Sequence, residues 1–259
     1  MPIKPKKSLG QNFLADRNIR EKIVKAIEFN LHDTVLEIGP GRGEITSLLL
    51  PKVKKIYALE IDKALCATLK ETLGNCLNLE LINEDILEFD LSSIPEQIKV
   101  VGNIPYYIST PIIEHLFKNR EKIEVIFMTV QKEFAKRMSA APGSRDFSSL
   151  SCFVQYYAEP KVLFNIKRGS FYPVPNVDSS FIRLKIRKEP AVKVTDEKRL
   201  FSVIRAAFNQ RRKTLRNSLE GIITEEALEK FYRDNHINKG IRPESLSLKQ
   251  FAALSEFAL

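Results

Sequence analysis

The apolar run Val35-Leu36-Glu37-Ile38 leads straight into Gly39-Pro40-Gly41-Arg42-Gly43. Glycines after such a run let the backbone turn sharply and approach a bound ligand closely. Glu60 closes the next apolar run, Ile56-Tyr57-Ala58-Leu59-Glu60, about 20 residues further on, where a carboxylate can accept hydrogen bonds from both hydroxyls of a ribose. Turn and carboxylate together indicate an adenosine-containing cofactor without saying which. The dinucleotide spacing GxGxxG calls for glycine at 44, but Glu44 stands there, and its charge would repel a pyrophosphate. A phosphate-free cofactor such as S-adenosylmethionine therefore fits better than NAD, and better than a purely structural turn. A third run, Leu79-Glu80-Leu81-Ile82, ends in Asn83-Glu84-Asp85. Asp85 is placed to hold the adenine amino group of such a cofactor; the plainer alternative is a helix N-cap.

The most specific stretch is Asn103-Ile104-Pro105-Tyr106-Tyr107, after a fourth run at Val100-Val101-Gly102. An exocyclic amine on adenine is a poor nucleophile because its lone pair is delocalised into the ring. The Asn103 side-chain oxygen and the Ile104 carbonyl can accept both amine hydrogens and aim the lone pair at an electrophilic methyl. Pro105 stiffens the turn and brings no competing donor. Tyr106 offers a face on which a flipped base can stack. A site of this kind works by alignment and electrostatics rather than covalent attack. Methylation at a pyrimidine carbon instead calls for a cysteine beside this turn. Cys66, Cys76 and Cys152 all lie elsewhere and are read as packing residues. His32, His115 and His236 are scattered, so no metal site is expected.

These residues need a scaffold that brings the ends of several apolar runs together. Helical stretches at 43–50, 62–73, 110–118 and 132–140 separate the runs at 35–38, 56–60, 79–82, 100–102 and 125–128. That alternation predicts a parallel α/β sheet with helices on both faces. Lys161–Ile166 and Phe181–Ile186 lie close together and alternate, as an antiparallel pair closing one edge would. Lys188-Glu189-Pro190-Ala191-Val192 breaks the pattern, so a boundary falls there: a cofactor-binding catalytic domain over 1–188 and a small all-helical domain over 189–259. In the latter, Leu200, Ile204, Ala207, Phe208, Leu215 and Leu219 share one side of a helical wheel. Lys198, Arg205, Arg212 and Arg216 share a neighbouring stripe, and Arg211 falls among the apolar residues, which predicts a helix break near Asn209-Gln210.

With 41 Lys and Arg against 32 Asp and Glu, the chain carries a formal charge of +9. Seven of the basic residues, Lys198, Arg199, Arg205, Arg211, Arg212, Lys213 and Arg216, fall within 198–219, which holds no acidic residue. Such a run is either a solvated helix face or a contact surface for a polyanion. A hydrophobic content of 44% places the chain with folded globular proteins, and no apolar stretch is long enough to span a membrane. Three cysteines make no disulfide framework, so a reducing compartment, the cytoplasm, is expected.

These motifs resemble those of the ribosomal RNA adenine dimethyltransferase family, in its small-subunit, KsgA-type branch, over essentially the whole chain. The match includes Gln11-Asn12-Phe13-Leu14, which in the family lies over the cofactor, and Phe171-Tyr172-Pro173-Val174-Pro175-Asn176-Val177-Asp178-Ser179, which resembles its FxPxPxVxS segment. The resemblance implies a Rossmann-like class I S-adenosylmethionine-dependent methyltransferase fold. It implies that Asn12, Leu14, Gly39, Gly41, Glu60, Asp85 and Asn103 bind the cofactor. Asn103 and Tyr106 would serve the target adenine, with Phe171 as the other wall of its pocket. Erythromycin-resistance methylases of large-subunit RNA share several of these motifs, and Ile104 and Tyr107 stand where the small-subunit branch often has Leu and Asn. Phe208–Leu219, however, is similar to the small-subunit branch alone. The implied reaction is dimethylation of two adjacent adenosines in the loop of the 3′-terminal hairpin of 16S rRNA by a monomeric enzyme. Arg205, Arg211, Arg212, Lys213 and Arg216, with Lys4, Lys6, Lys7, Arg17 and Arg20, would grip phosphates. A ribosome-assembly factor with secondary methylation and an NAD-dependent oxidoreductase are the alternatives from other classes.

Overall fold

The computed structural model describes residues 4–210 and 213–258. Nine strands form within them: β1 (Phe13–Leu14), β2 (Thr34–Ile38), β3 (Lys55–Leu59), β4 (Leu79–Ile82), β5 (Ile98–Asn103), β6 (Ile123–Gln131), β7 (Ala158–Ile166), β8 (Phe171–Tyr172) and β9 (Ser179–Ile186). Seven build one sheet in the order β4-β3-β2-β5-β6-β9-β7, while β1 and β8 pair antiparallel on their own. The pairs β2–β3, β3–β4, β2–β5 and β5–β6 are parallel, and β6–β9 is antiparallel. All five residues of β2 are buried, as befits the central strand of a sheet covered on both faces. Edge strand β4 has no buried residue.

The helices are α1 (Arg17–Ile27), α2 (Thr46–Leu49), α3 (Lys63–Leu73), α4 (Ser109–Lys118), α5 (Lys132–Met138), α6 (Ser149–Tyr157), α7 (Glu197–Phe208), α8 (Leu215–Ser218), α9 (Glu225–Asp234) and α10 (Leu248–Ser255). Their starts are written in the sequence. The Asp16 carboxylate accepts the Asn18 and Ile19 amides at 2.9 and 3.3 Å, Asp62 accepts Ala64 N–H at 3.0 Å, and Asp196 accepts Arg199 N–H at 3.0 Å. In α1, Ile23, Val24 and Ile27 form the buried face and join a core with Val35, Ile56, Val101 and Phe127.

The chain divides into two compact units. One contains 1–135 and 161–186, the other 136–160 and 187–259. The sequence pattern predicts a division at 188; the chain does divide near there, between Ile186 and Arg187, but 136–160 groups with the C-terminal residues. The physical reason lies in packing inside that second unit. Phe153, Tyr156 and Tyr157 of α6 all pack on the Phe201 ring of α7, with ring centroids 5.2–5.9 Å apart. Among the described residues from 187 onward there are helices and no strand. Of the predicted wheel, Leu200, Ile204, Ala207, Leu215 and Leu219 are buried and Phe208 is half-buried. The predicted break holds, since α7 stops at Phe208 and α8 starts at Leu215.

A candidate cofactor and base cleft

From β2 the chain steps outward through β3 to β4 on one side, then returns to lay β5 on the other side of β2. At such a reversal, crossover connections leave on opposite faces and open a crevice at the carboxyl ends of the strands. Each of the motif segments falls there: Gly39 and Gly41 after β2, Glu60 after β3, Glu84 and Asp85 after β4, Asn103 and Tyr106 at the end of β5. They line a cleft of about 290 Å³ together with Asn12 and Phe13.

Gly39 and Gly41 have φ of +67° and +61°, a backbone region that disfavours side chains. A Cβ on Gly41 would also come within 3.1 Å of the Phe13 ring. Bent this way, the turn sends Gly41 N–H to Glu60 Oε2 at 3.1 Å, while Asp62 N–H donates to Oε1 at 2.9 Å. Glu60 is buried, and desolvation pushes its carboxyl above the usual range against those two donors. Asn83 Nδ2 donates to the Glu60 carbonyl at 2.7 Å and so fixes the backbone that carries it. Asp85 lines the cleft, and its Oδ1 accepts Leu87 N–H at 2.9 Å; it caps a turn and not the helix N-terminus of the plainer alternative, since no helix starts there.

Asn103 Nδ2 donates to the Asn12 carbonyl at 2.8 Å. That bond fixes which end of the carboxamide is the donor and leaves Oδ1 as the acceptor. The Tyr106 phenol meets Ser179 Oγ at 2.5 Å, and burial pushes its pKa upward against that hydrogen bond.

The segment before Asn12 crosses the cleft as a strap. Lys6 Nζ reaches Asp62 Oδ1 at 2.7 Å, Gln11 Nε2 donates to Asp62 Oδ2 at 3.0 Å, and Lys6 N–H donates to Gln11 Oε1 at 2.8 Å. The Asp62 side chain is fully shielded. Burial raises its pKa, but Lys6 and Gln11 outweigh this and leave the net shift downward.

Two expected site residues fall outside the lining of the main cleft, although Leu14 borders the adjoining smaller cavity with Gly39, Gly41 and Asn103. Leu14 and Phe171 face each other across the β1–β8 pair and are 6% and 2% exposed within the core, outside the cleft lining. Tyr172, at 57%, is the aromatic that this pair exposes. Phe171 alternates inward because its neighbour points out, a choice that the sequence of a two-residue strand leaves open. Arg42 is exposed over the Phe13 ring, but Glu44, expected to be a solvent-facing loop charge, is half-buried. It borders a smaller cavity of about 40 Å³ shared with Glu37. Glu37 is the functional-region residue that sequence reasoning missed. It reads as one more strand position, yet its Oε2 is buried without a partner. Burial pushes its carboxyl up to about 7, opposed by the Thr46 hydroxyl and reinforced by the charges of Glu44 and Glu60. The apolar walls at Ile61, Leu65, Ile86 and Ile112 carry no sequence signal of their own.

Among the described residues that line the main cleft, Glu60, Glu84 and Asp85 are acidic and none is basic. In a chain of net charge +9 this is a local reversal of sign. Such a cleft suits a cationic sulfonium and an adenosine, and opposes a pyrophosphate. The carboxylates, apolar side chains and glycine turn that line the cleft therefore fit S-adenosylmethionine. Among the described residues no group of three or more His, Cys, Asp or Glu is arranged to hold a metal ion. No helix there is long and apolar enough to cross a membrane.

Of the basic run, Arg205 and Lys213 are exposed, Arg216 pairs with Glu225, and Arg211 and Arg212 lie outside the described residues. Toward the N-terminus, Lys6 is committed to Asp62, and Arg17 pairs with Glu21 at 2.8 Å.

Comparison with known proteins places these features in context. The family described as ribosomal RNA adenine dimethylase matches residues 3–258. Ribosomal RNA small subunit methyltransferase A of Lachnoclostridium phytofermentans is 44% identical over 96% of this chain and 90% of its own length. The protein of that name from Bacillus licheniformis is 43% identical over 97% and 90%. Among solved structures, a dimethyladenosine transferase from Plasmodium falciparum superposes with a TM-score of 0.78 at 26% identity, over 95% of this chain and 99% of that one. The 23S rRNA methyltransferase ErmE gives 0.77 at 29% identity, over 95% and 98%. The sheet is accordingly the Rossmann-like methyltransferase sheet expected from the sequence.

Proposed function

The chain belongs to the ribosomal RNA adenine dimethylase family, and from that premise we propose that its cleft transfers methyl groups from S-adenosylmethionine to the N6 amines of two adjacent adenosines in the loop of the 3′-terminal hairpin of 16S rRNA. The enzyme is an S-adenosylmethionine-dependent rRNA adenine dimethyltransferase of the small subunit. The observation that carries the site assignment is the Asn103 carboxamide. Its nitrogen is spent on the Asn12 carbonyl, so its oxygen is left to accept a hydrogen from the amine.

Bound S-adenosylmethionine supplies an electrophilic methyl on sulfur. The protein's part is alignment. Asn103 Oδ1 and the Ile104 carbonyl accept hydrogen bonds from the amine N–H groups and draw the lone pair out of conjugation, while Tyr106 stacks on the base. No dedicated base is needed, because an amine that has gained a methyl becomes acidic and passes its proton to water. Glu60 holds the ribose, Asp85 the adenine amino group, and Asn12, Gly39 and Gly41 frame the donor. Leu14 and Phe171 act from the core, shaping the β1–β8 pair beneath the site. Arg205, Lys213 and Arg216 contribute to phosphate contacts, which position RNA without specifying its sequence. The enzyme works as a cytoplasmic monomer without a metal.

Relatives 40–44% identical carry small-subunit names, whereas the 23S methyltransferase is 29% identical, and this favours 16S over 23S rRNA. The test is mass spectrometry of rRNA fragments after undermethylated small and large subunits are incubated with labelled S-adenosylmethionine. Label on two neighbouring adenosines near the 16S 3′ end is expected; label on 23S rRNA alone would overturn the substrate assignment.

A further inference from the structure

We propose that Ser179 is a positioning residue for methyl transfer, holding the Tyr106 ring at a fixed tilt through a bond between the two hydroxyls. The inference rests on the reading of Tyr106 as the base-stacking residue. Tyr106 opens a single 3-10 turn, Tyr106–Ile108, whose backbone is fixed by Ile108 N–H donating to the Pro105 carbonyl at 3.2 Å. That leaves the ring free to swing about its own side-chain torsions unless its far end is tethered. Ser179 Oγ, 2.5 Å from the phenolic oxygen, is that tether.

The anchor itself is rigid. Ser179 is fully buried and begins β9 in register with Gln131 of β6. The residue before it is clamped twice: the Asp178 carbonyl accepts Lys132 N–H at 3.0 Å, and its Oδ1 accepts Arg168 N–H at 3.0 Å. The residue after it, Ser180, donates to Asn165 Oδ1 at 2.8 Å. A hydroxyl on so fixed a strand cannot follow the ring, so the ring follows the hydroxyl. A serine buried purely for packing would satisfy itself on nearby backbone, as Ser109 does on the Pro105 carbonyl at 3.3 Å and Ser255 on the Ala252 carbonyl at 2.7 Å. Ser179 instead spends its hydroxyl on a residue of the cleft, 73 positions away in sequence. Burial keeps the phenol neutral across the physiological range, so the pair persists at working pH.

The test compares Ser179→Ala, Ser179→Thr, Tyr106→Phe, Tyr106→Ala and the double variant Ser179→Ala with Tyr106→Phe. Each full-length protein is assayed in single turnover on undermethylated small subunits, at saturating S-adenosylmethionine, with cofactor affinity and melting temperature measured alongside. Removal of one neutral hydrogen bond predicts a rate about 5–10-fold lower for Ser179→Ala and for Tyr106→Phe, with the double variant no slower than either. Ser179→Thr should restore the rate, and cofactor affinity should not move. A wild-type rate in Ser179→Ala, or multiplying losses in the double variant, would overturn the inference. Should Ser179→Ala fail to fold, Tyr106→Phe decides alone, since it removes the same bond and leaves the serine in place. A wild-type rate in Tyr106→Ala would instead bring down the stacking role of Tyr106, and is distinguished by that variant.

Discussion

Glu60 and Asn103 occupy one cleft and are expected to fail differently. Glu60 is a buried carboxylate already oriented by Gly41 and Asp62 amides, so the hydrogen bonds to a ribose proposed for it would need no reorganisation. Glu60→Ala should weaken S-adenosylmethionine binding roughly 10–100-fold, the scale of a hydrogen bond to a charged group, as read by calorimetry. Asn103→Ala should leave that affinity nearly unchanged and lower turnover about 100-fold or more, because it removes an interaction made to the reacting amine. A comparable drop in cofactor affinity in both variants would remove the division of labour. Glu37 belongs to the same scale and tests burial. Its carboxyl titrates near 7 in the folded chain against 4.5 when free, so the folded state holds the proton longer. Stability is then complete below about 4.5 and is lost as pH rises toward 7, by roughly 3 kcal/mol at 1.36 kcal/mol per unit. Glu37→Gln should flatten that dependence in urea unfolding at pH 5 and pH 8; an unchanged slope would show that another group carries it. The sequence displayed Glu60 and Asn103 because each follows an apolar run. It concealed Glu37, because nothing in a strand pattern says that one carboxylate will be sealed in beside Thr46 with the charges of Glu44 and Glu60 nearby.

At the scale of elements, the strap from Lys6 to Asn12 ties the β3 end of the cleft to its β5 end. Asp62 latches it through Lys6 and Gln11, and its Asn12 carbonyl holds Asn103. Lys6→Met should loosen the latch and speed release of the S-adenosylhomocysteine product several-fold, measured by stopped-flow fluorescence with a labelled analogue. Unchanged release would mean that the strap opens without breaking this ion pair. The central strands were legible as apolar runs alternating with helical stretches, and the first turn from its glycines. The pair β1–β8, with two residues a side, was not, since a strand that short has no period to read. The inward turn of Leu14 and Phe171 followed from that pairing. Nor was α2 legible at its true extent: four α-helical residues, Thr46–Leu49, continue into a 3-10 turn at Leu50–Lys52, whereas the pattern suggests 43–50.

On the scale of the whole molecule, charge is divided by purpose. The chain is basic overall, while its cleft is lined by carboxylates. A polyanion is attracted to the outside, and a small cation is favoured within. Replacing Arg205 and Lys213 by Gln together should weaken binding to undermethylated small subunits and reduce the slope of log affinity against log salt by about 1 to 2, near one for each phosphate no longer neutralised. Arg216→Gln alone should change the slope less, because Glu225 already neutralises it. An identical slope in the double variant would show that the run faces away from RNA.

By itself the sequence determined the strand–turn chemistry: which side chains stand at the carboxyl ends of the apolar runs, that the cofactor should lack a pyrophosphate, and that the C-terminal stretch is helical. Those are local facts, set by spacing and by residue type. Only the tertiary structure decided that 136–160 packs with the C-terminal helices, that Phe171 turns into the core, that Asp62 fastens the strap, and that Ser179 meets Tyr106. Each of these joins residues distant along the chain, and the free energy of such an interaction depends on burial and geometry that exist only once the sheet has closed.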